Sequence, residues 1–120
     1  MPLINSSSGK TIYEKARPAK GFYGKFKGLM FESRKNFDYA LVFDMIAESR
    51  LGSSIHMLFV FFPIDAVFLD SKKQVVDIAL NLRPFALSFV PKKPAKFIIE
   101  LPAGKTQGIK LGDKLDWNFQ

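Results

Sequence analysis

Ile55-His56-Met57-Leu58-Phe59-Val60-Phe61-Phe62-Pro63-Ile64-Asp65-Ala66-Val67-Phe68-Leu69-Asp70 decides the fold class, because its first eight residues are apolar except for one histidine. A strand with one wet face alternates polar and apolar residues, whereas a strand covered on both sides reads as a nearly continuous apolar run. Residues 55–62 are therefore expected to form a central strand packed on two sides. Pro63 has no amide to donate and interrupts the ladder. Ile64 to Asp70 then reads as a second extended segment, ending in a polar turn at Ser71 to Gln74.

Working outward, the period of two recurs. Val76, Ile78, Leu80 and Leu82 alternate with Val75, Asp77, Ala79 and Asn81, which predicts a strand with one dry and one wetter face. Leu115, Trp117 and Phe119 alternate with polar residues in the same way. Phe97 to Leu101 and Tyr39 to Met45 read as strands, and Leu3 to Asn5 is expected to pair with Thr11 to Ala16 across the turn Ser6-Ser7-Ser8-Gly9. Between residues 20 and 30 the period changes. Phe22, Phe26, Leu29 and Met30 fall on one face of a helix, with Gly21, Gly24 and Gly28 on another. The prolines at 84, 91, 94 and 102 favour short strands and loops in the second half. The expectation is a mostly β chain: one compact barrel or sandwich-like domain spanning 1–120, with seven to eight strands and one short helix near residues 20–30.

A chain of 120 residues is long enough for a substantial core, and 13 phenylalanines supply much of it. There is no cysteine, which excludes thiolate zinc sites, iron–sulfur ligation and thiol nucleophiles. A single histidine excludes a multi-histidine metal site within one chain, and no cofactor is expected. The first residues lack the features of a signal peptide, and no apolar run approaches the roughly 18 to 20 residues needed to span a bilayer. A cytoplasmic protein without a membrane association is expected.

The net charge of +7 is unevenly placed. Residues 1–35 hold eight Lys or Arg against two Glu, while residues 36–120 hold ten basic against nine acidic residues. Lys10, Lys15, Arg17, Lys20, Lys25, Lys27, Arg34 and Lys35 are thus a candidate surface for phosphates or an acidic partner. The competing reading is a solvated lysine-rich rim that keeps a phenylalanine-heavy protein in solution.

In order along the chain, Lys-Gly-Leu-Met-Phe at 27–31, His-Met-Leu-Phe-Val-Phe-Phe-Pro-Ile-Asp at 56–65, Val-Phe-Leu-Asp at 67–70, Val-Val-Asp-Ile at 75–78, Ile-Glu-Leu-Pro-Ala-Gly at 99–104 and Gly-Asp at 112–113 resemble the family catalogued as domain of unknown function 192, in its archaeal form. The resemblance covers nearly the whole chain. It implies a compact β-barrel or sandwich-like domain and implies no activity. Many bacterial members carry a Trp-Met-Lys-Asn-Thr-like segment before the Pro-hydrophobic-Asp step, and the matching residues here are His56 to Val60, without those polar groups.

Short phosphate-binding motifs fail on inspection. Gly9-Lys10-Thr11 lacks the upstream glycine of a phosphate-binding loop, since Ile4 stands where it would fall, and it reads as a hairpin turn. Gly21-Phe22-Tyr23-Gly24 matches one RNA-binding clamp only in its glycines. Candidate ligand-binding residues are instead the polar groups set in apolar runs, His56, Asp65 and Glu100. Arg83 is a candidate ion partner of Glu100, and Gly24 and Gly28 offer a face that allows close approach. The structural alternative has Asp65 bonding free backbone amides just after Pro63, Glu100 bonding Arg83 or a lysine, and His56 satisfied within the core.

Three functional readings follow from the same residues. The first is a non-catalytic module that binds a small ligand or a protein partner in a groove between the glycine-faced helix and the central strands, as a monomer or a homo-oligomer. The second is nucleic-acid or polyanion binding through the basic N-terminal third. The third is a hydrolase or lyase that uses His56 with Asp65 or Glu100.

Overall fold

The computed structural model describes residues 2–19, 33–51, 53, 60–84, 89–106 and 108–117. Eight strands are present among them: β1 (Leu3–Asn5), β2 (Lys10–Tyr13), β3 (Ala16–Pro18), β4 (Ala40–Ser49), β5 (Ile64–Leu69), β6 (Val75–Leu82), β7 (Ala95–Pro102) and β8 (Leu115–Trp117). A single 3₁₀ turn, Arg34–Asn36, precedes β4. The strands form two sheets. The larger has the order β3-β4-β7-β5-β6, and the smaller has the order β2-β1-β8.

The two faces of the larger sheet explain why so much of the sequence is apolar. One face carries Val42, Val67, Leu69, Ile99 and Leu101, which pack with Leu3 and Leu115 of the smaller sheet to give a sandwich-like core. The other face carries Leu41, Phe43, Ala66, Phe68 and Ile98, covered by Phe37, Tyr39, Val60 and Phe62. Phe68 also stacks on Phe89, with ring centroids 5.5 Å apart. Strands β5 and β7 lie between these layers, and every residue of β5 is buried.

A doubly covered strand lies after Pro63. Val60, Phe61 and Phe62 are outside any strand, and residues 54–59 lie outside the described residues. Of the expected strand's described residues, Val60 and Phe62 are buried and Phe61 is 57% exposed. The helix expected near residues 20–30 also lies outside the described residues.

Two further expectations are corrected by the register. The hairpin partner of β1 is Lys10–Tyr13 and does not extend to Ala16, which crosses to the larger sheet and runs parallel to β4. On β6 the expected sides are reversed: Val75, Asp77 and Ala79 are buried, Val76, Ile78 and Leu82 are half-buried, and Leu80 is 65% exposed. The cause is two irregularities in the β5–β6 ladder: Ile64 pairs with Leu82 but Ala66 pairs with Ala79, and Phe68 pairs with Asp77 but Leu69 with Val75. Extra residues in an edge strand shift the alternation and leave side chains outside the pairing. Lys73, at φ 64°, turns the chain between β5 and β6 with the Asp70 carboxylate accepting the amides of Lys72 and Gln74.

Phe68→Ala should destabilise the domain by about 3 to 5 kcal/mol, whereas Leu80→Ala should stay within about 0.5 kcal/mol of the parent, both read from urea unfolding curves. Equal losses for the two variants would contradict the assignment of core and edge.

Candidate functional site

Asp65 is the second residue of β5, and strand alternation turns it toward the face shared with Val67 and Leu69. It is only 2% exposed. A buried carboxylate is costly without partners, and this one has three. Its Oδ1 accepts the amide of Asn81 at 2.8 Å, and its Oδ2 accepts the amide of Gly104 and the Thr106 hydroxyl, each at 2.9 Å. Both amides come from backbone that no strand ladder satisfies. Asn81 sits at φ 53° within the irregular part of β6, and Gly104 sits at φ 87° in the turn after β7. The carboxylate thus bonds free amides, as the structural reading expected. They belong to two neighbouring segments and not to the residues after Pro63.

Over this tie lies an open groove of about 630 Å³ between β6 and the segment 103–109. Its walls include Ile78, Leu80, Asn81, Ala103, Thr106 and Ile109, with Asp65 among the lining residues. Asn81, Gly104 and Thr106 carry the site and were missed by sequence reasoning. The available signal was the Pro-Ala-Gly ending of the β7 motif.

Glu100 occupies the middle strand of the five and is 6% exposed. The register pairs Glu100 with Leu41 on one side and Ala66 on the other, so its side chain shares their face. Asp65 pairs with Leu101, the next rung, and points the opposite way. The sheet therefore separates the two carboxyl groups, and they cannot act on one substrate atom. Glu100 makes no hydrogen bond or ion pair among the described residues, so the expected bond to Arg83 is not formed, nor one to any described lysine. Burial alone pushes its carboxyl up to about 8.

Arg83 is exposed at the end of β6. His56, Gly24 and Gly28 lie outside the described residues, as do Lys20, Lys25 and Lys27, and with them the groove expected beside the glycine-faced helix. The described basic residues are dispersed over separate elements. Lys10 is on the β1–β2 hairpin, Arg34 and Lys35 are on the 3₁₀ turn, and Arg17 lies over the Tyr39 ring at 4.3 Å. Lys15 donates to Asp38 at 2.9 Å, and that hydrogen bond holds the Asp38 carboxyl below its ordinary value. No group of three or more potential metal ligands occurs among the described residues, and no helix among them is long and apolar enough to cross a membrane.

Two outcomes follow from these carboxyl groups. Asp65→Asn must turn an NH₂ toward at least one existing donor and should cost about 3 kcal/mol in chemical unfolding; a loss below about 0.5 kcal/mol would contradict the three-donor geometry. For Glu100, folded and unfolded chains both hold the proton below its ordinary value of 4.5. Between there and about 8 only the folded state keeps it. Stability from this group should then fall as pH rises, by about 1.4 kcal/mol per unit, and level off above the folded value. Glu100→Gln should remove that slope in unfolding curves measured from pH 5 to 9, and an unchanged slope would contradict burial of an unpaired acid.

Comparison with known proteins agrees with this architecture. A crystal structure of a protein of unknown function from Novosphingobium aromaticivorans DSM 12444 is similar, with a TM-score of 0.82 at 24% identity, covering 97% of this chain and 84% of that one. A UPF0127 protein of Thermococcus sibiricus is 42% identical over 98% of this chain and 75% of its own length. A UPF0127 protein of Pyrococcus furiosus is 40% identical over 97% of both chains. With the family model described as Uncharacterized ACR matching residues 3–117, the chain belongs to the domain of unknown function 192 family.

Proposed function

We propose that the chain is a non-catalytic binding module whose ligand is a small, neutral, amphipathic molecule held in the groove over Asp65. The observation that carries this reading is that both Asp65 oxygens are already engaged by Asn81, Gly104 and Thr106. The groove then offers apolar contact from Ile78, Leu80 and Ile109 and hydrogen bonding from Asn81, without a free acid, base or nucleophile among its lining residues. Its size falls within the roughly 300 to 1,000 Å³ usual for small-molecule sites. Leu80, 65% exposed at its wall, supplies apolar area that a ligand would cover.

The opposing orientation of Asp65 and Glu100 supports binding over a reaction that would need both. The dispersal of the described basic residues, and the engagement of Lys15 by Asp38 and of Arg17 by Tyr39, weigh against a continuous polyanion surface. A cytoplasmic location belongs to the same proposal.

The test is a thermal-shift screen of the full chain against sugars, nucleosides and short neutral peptides at low and high salt, repeated with Leu80→Arg. A ligand at 100 times its dissociation constant adds about 2.7 kcal/mol, a shift of several degrees. The expected result is a salt-insensitive hit that Leu80→Arg removes without lowering the melting temperature of the free protein. Hits that survive Leu80→Arg, or that come only from polyanions at low salt, would overturn the reading.

A further inference from the structure

A second groove, of about 390 Å³, is lined by residues 11–15 together with Asp38 and Lys105, and it shares no lining residue with the groove over Asp65. Its volume lies within the roughly 300 to 1,000 Å³ usual for small-molecule sites. Three elements build it: the end of β2 with its link to β3, the approach to β4, and the turn after β7. Each is held in place. The Ala40 amide donates to the Lys15 carbonyl at 2.8 Å and the Lys15 Nζ donates to Asp38 at 2.9 Å, which ties the first two elements together. The Lys105 amide donates to the Pro102 carbonyl at 3.2 Å, beside Gly104, whose amide Asp65 accepts. Ile12 and Tyr13 are half-buried against the core between the sheets. A groove whose walls are fixed in advance loses little freedom when a ligand arrives.

The lining says what would fit. β2 is an edge strand of the smaller sheet, with β1 on one side. Successive side chains of a strand point to opposite faces, so a cavity that touches Thr11, Ile12 and Tyr13 in turn lies along the strand's edge, where backbone donors and acceptors face outward. A peptide backbone is the complement of such an edge. The charges narrow the choice further. Four of the lining residues are charged, two of each sign, and Lys15 with Asp38 already forms an ion pair. That leaves Glu14 on the β2–β3 link and Lys105 on the turn after β7, one anion and one cation on different elements. Both are exposed, like most surface charges, and the cavity that they share sets them apart. A ligand with a single charge would face one like charge in this groove, whereas a ligand with both signs meets two opposite ones.

From this arrangement we infer that the groove beside β2 is a second binding site, for a short zwitterionic peptide of two or three residues. The peptide backbone runs along the outer edge of β2, its carboxylate meets Lys105 and its ammonium meets Glu14. Three extended residues span at most about 10 to 11 Å, which is the scale of a cavity of this volume. A longer chain would carry at least one charged terminus outside the cavity. The site is independent of the groove over Asp65 and of the neutral ligand proposed there.

The experiment is an NMR titration of the full ¹⁵N-labelled chain at pH 7 with trialanine, whose small side chains leave the backbone and the two termini as its handles, and with its N-acetyl and C-amide forms. The expected result is a saturable shift of the amides of residues 11–15, with each capped form binding about fivefold more weakly than the zwitterion. In Lys105→Gln, capping the carboxylate should cost nothing further; in Glu14→Gln, capping the ammonium should cost nothing further. Both side chains are exposed, so these variants should keep the parent melting temperature. Leu80→Arg, which alters the other groove, should leave trialanine binding unchanged. Capped forms that bind as well as the zwitterion, capping losses that persist in both charge variants, binding abolished by Leu80→Arg, or no shift at residues 11–15 up to the solubility of the peptide would each overturn the inference.

Discussion

The carboxylate of Asp65 holds together two segments that the strand ladders leave loose. β6 departs from regular pairing near Asn81, and the chain leaves β7 through a turn at Gly104 and Thr106. Each departure exposes a donor, and each donor ends on Asp65. A carboxylate suits the task because it accepts on both oxygens and needs no donor partner of its own. Without it, two backbone amides would lose the acceptor that the strand ladders do not supply. The groove owes its walls to this tie, since one is the distorted part of β6 and the other is the turn that Asp65 fixes.

The larger sheet divides the molecule into two chemically different halves. On the side of the smaller sheet, polar groups are paired and the apolar residues interlock from both sheets. On the other side Glu100, without a partner among the described residues, shares its face with aromatic rings. Strand alternation alone creates this division, because Asp65 and Glu100 lie on adjacent rungs of neighbouring strands and still point apart. The two carboxyl groups have separate fates: Asp65 is bonded on both oxygens, and Glu100 is buried in the sheet's other face.

Much of the strand content was legible in the chain because period-two patterns and turn residues are local properties. The hairpin at Gly9, the turn after Asp70 and the strands β4, β7 and β8 follow from such patterns. Asp65 stood out for the same reason, as a polar residue in an apolar run. Its partners did not, because Asn81 and Gly104 become donors only through a register irregularity and a turn on other strands. Leu80 misled for a related reason, since alternation assumes an unbroken ladder and β6 is an irregular edge. The unpaired state of Glu100 was equally hidden: whether Arg83 reaches it depends on which face each residue takes. Pro63 marked a boundary correctly, directly before β5.

Native-state hydrogen exchange of the Asn81 and Gly104 amides tests most directly whether Asp65 organises the site. If the carboxylate holds both segments, these two amides should exchange about as slowly as those of β5 and β7, requiring the same large-scale opening. Exchange at the rate of the exposed Ser6 to Gly9 turn would mean that the tie does not persist in solution, and would contradict the account.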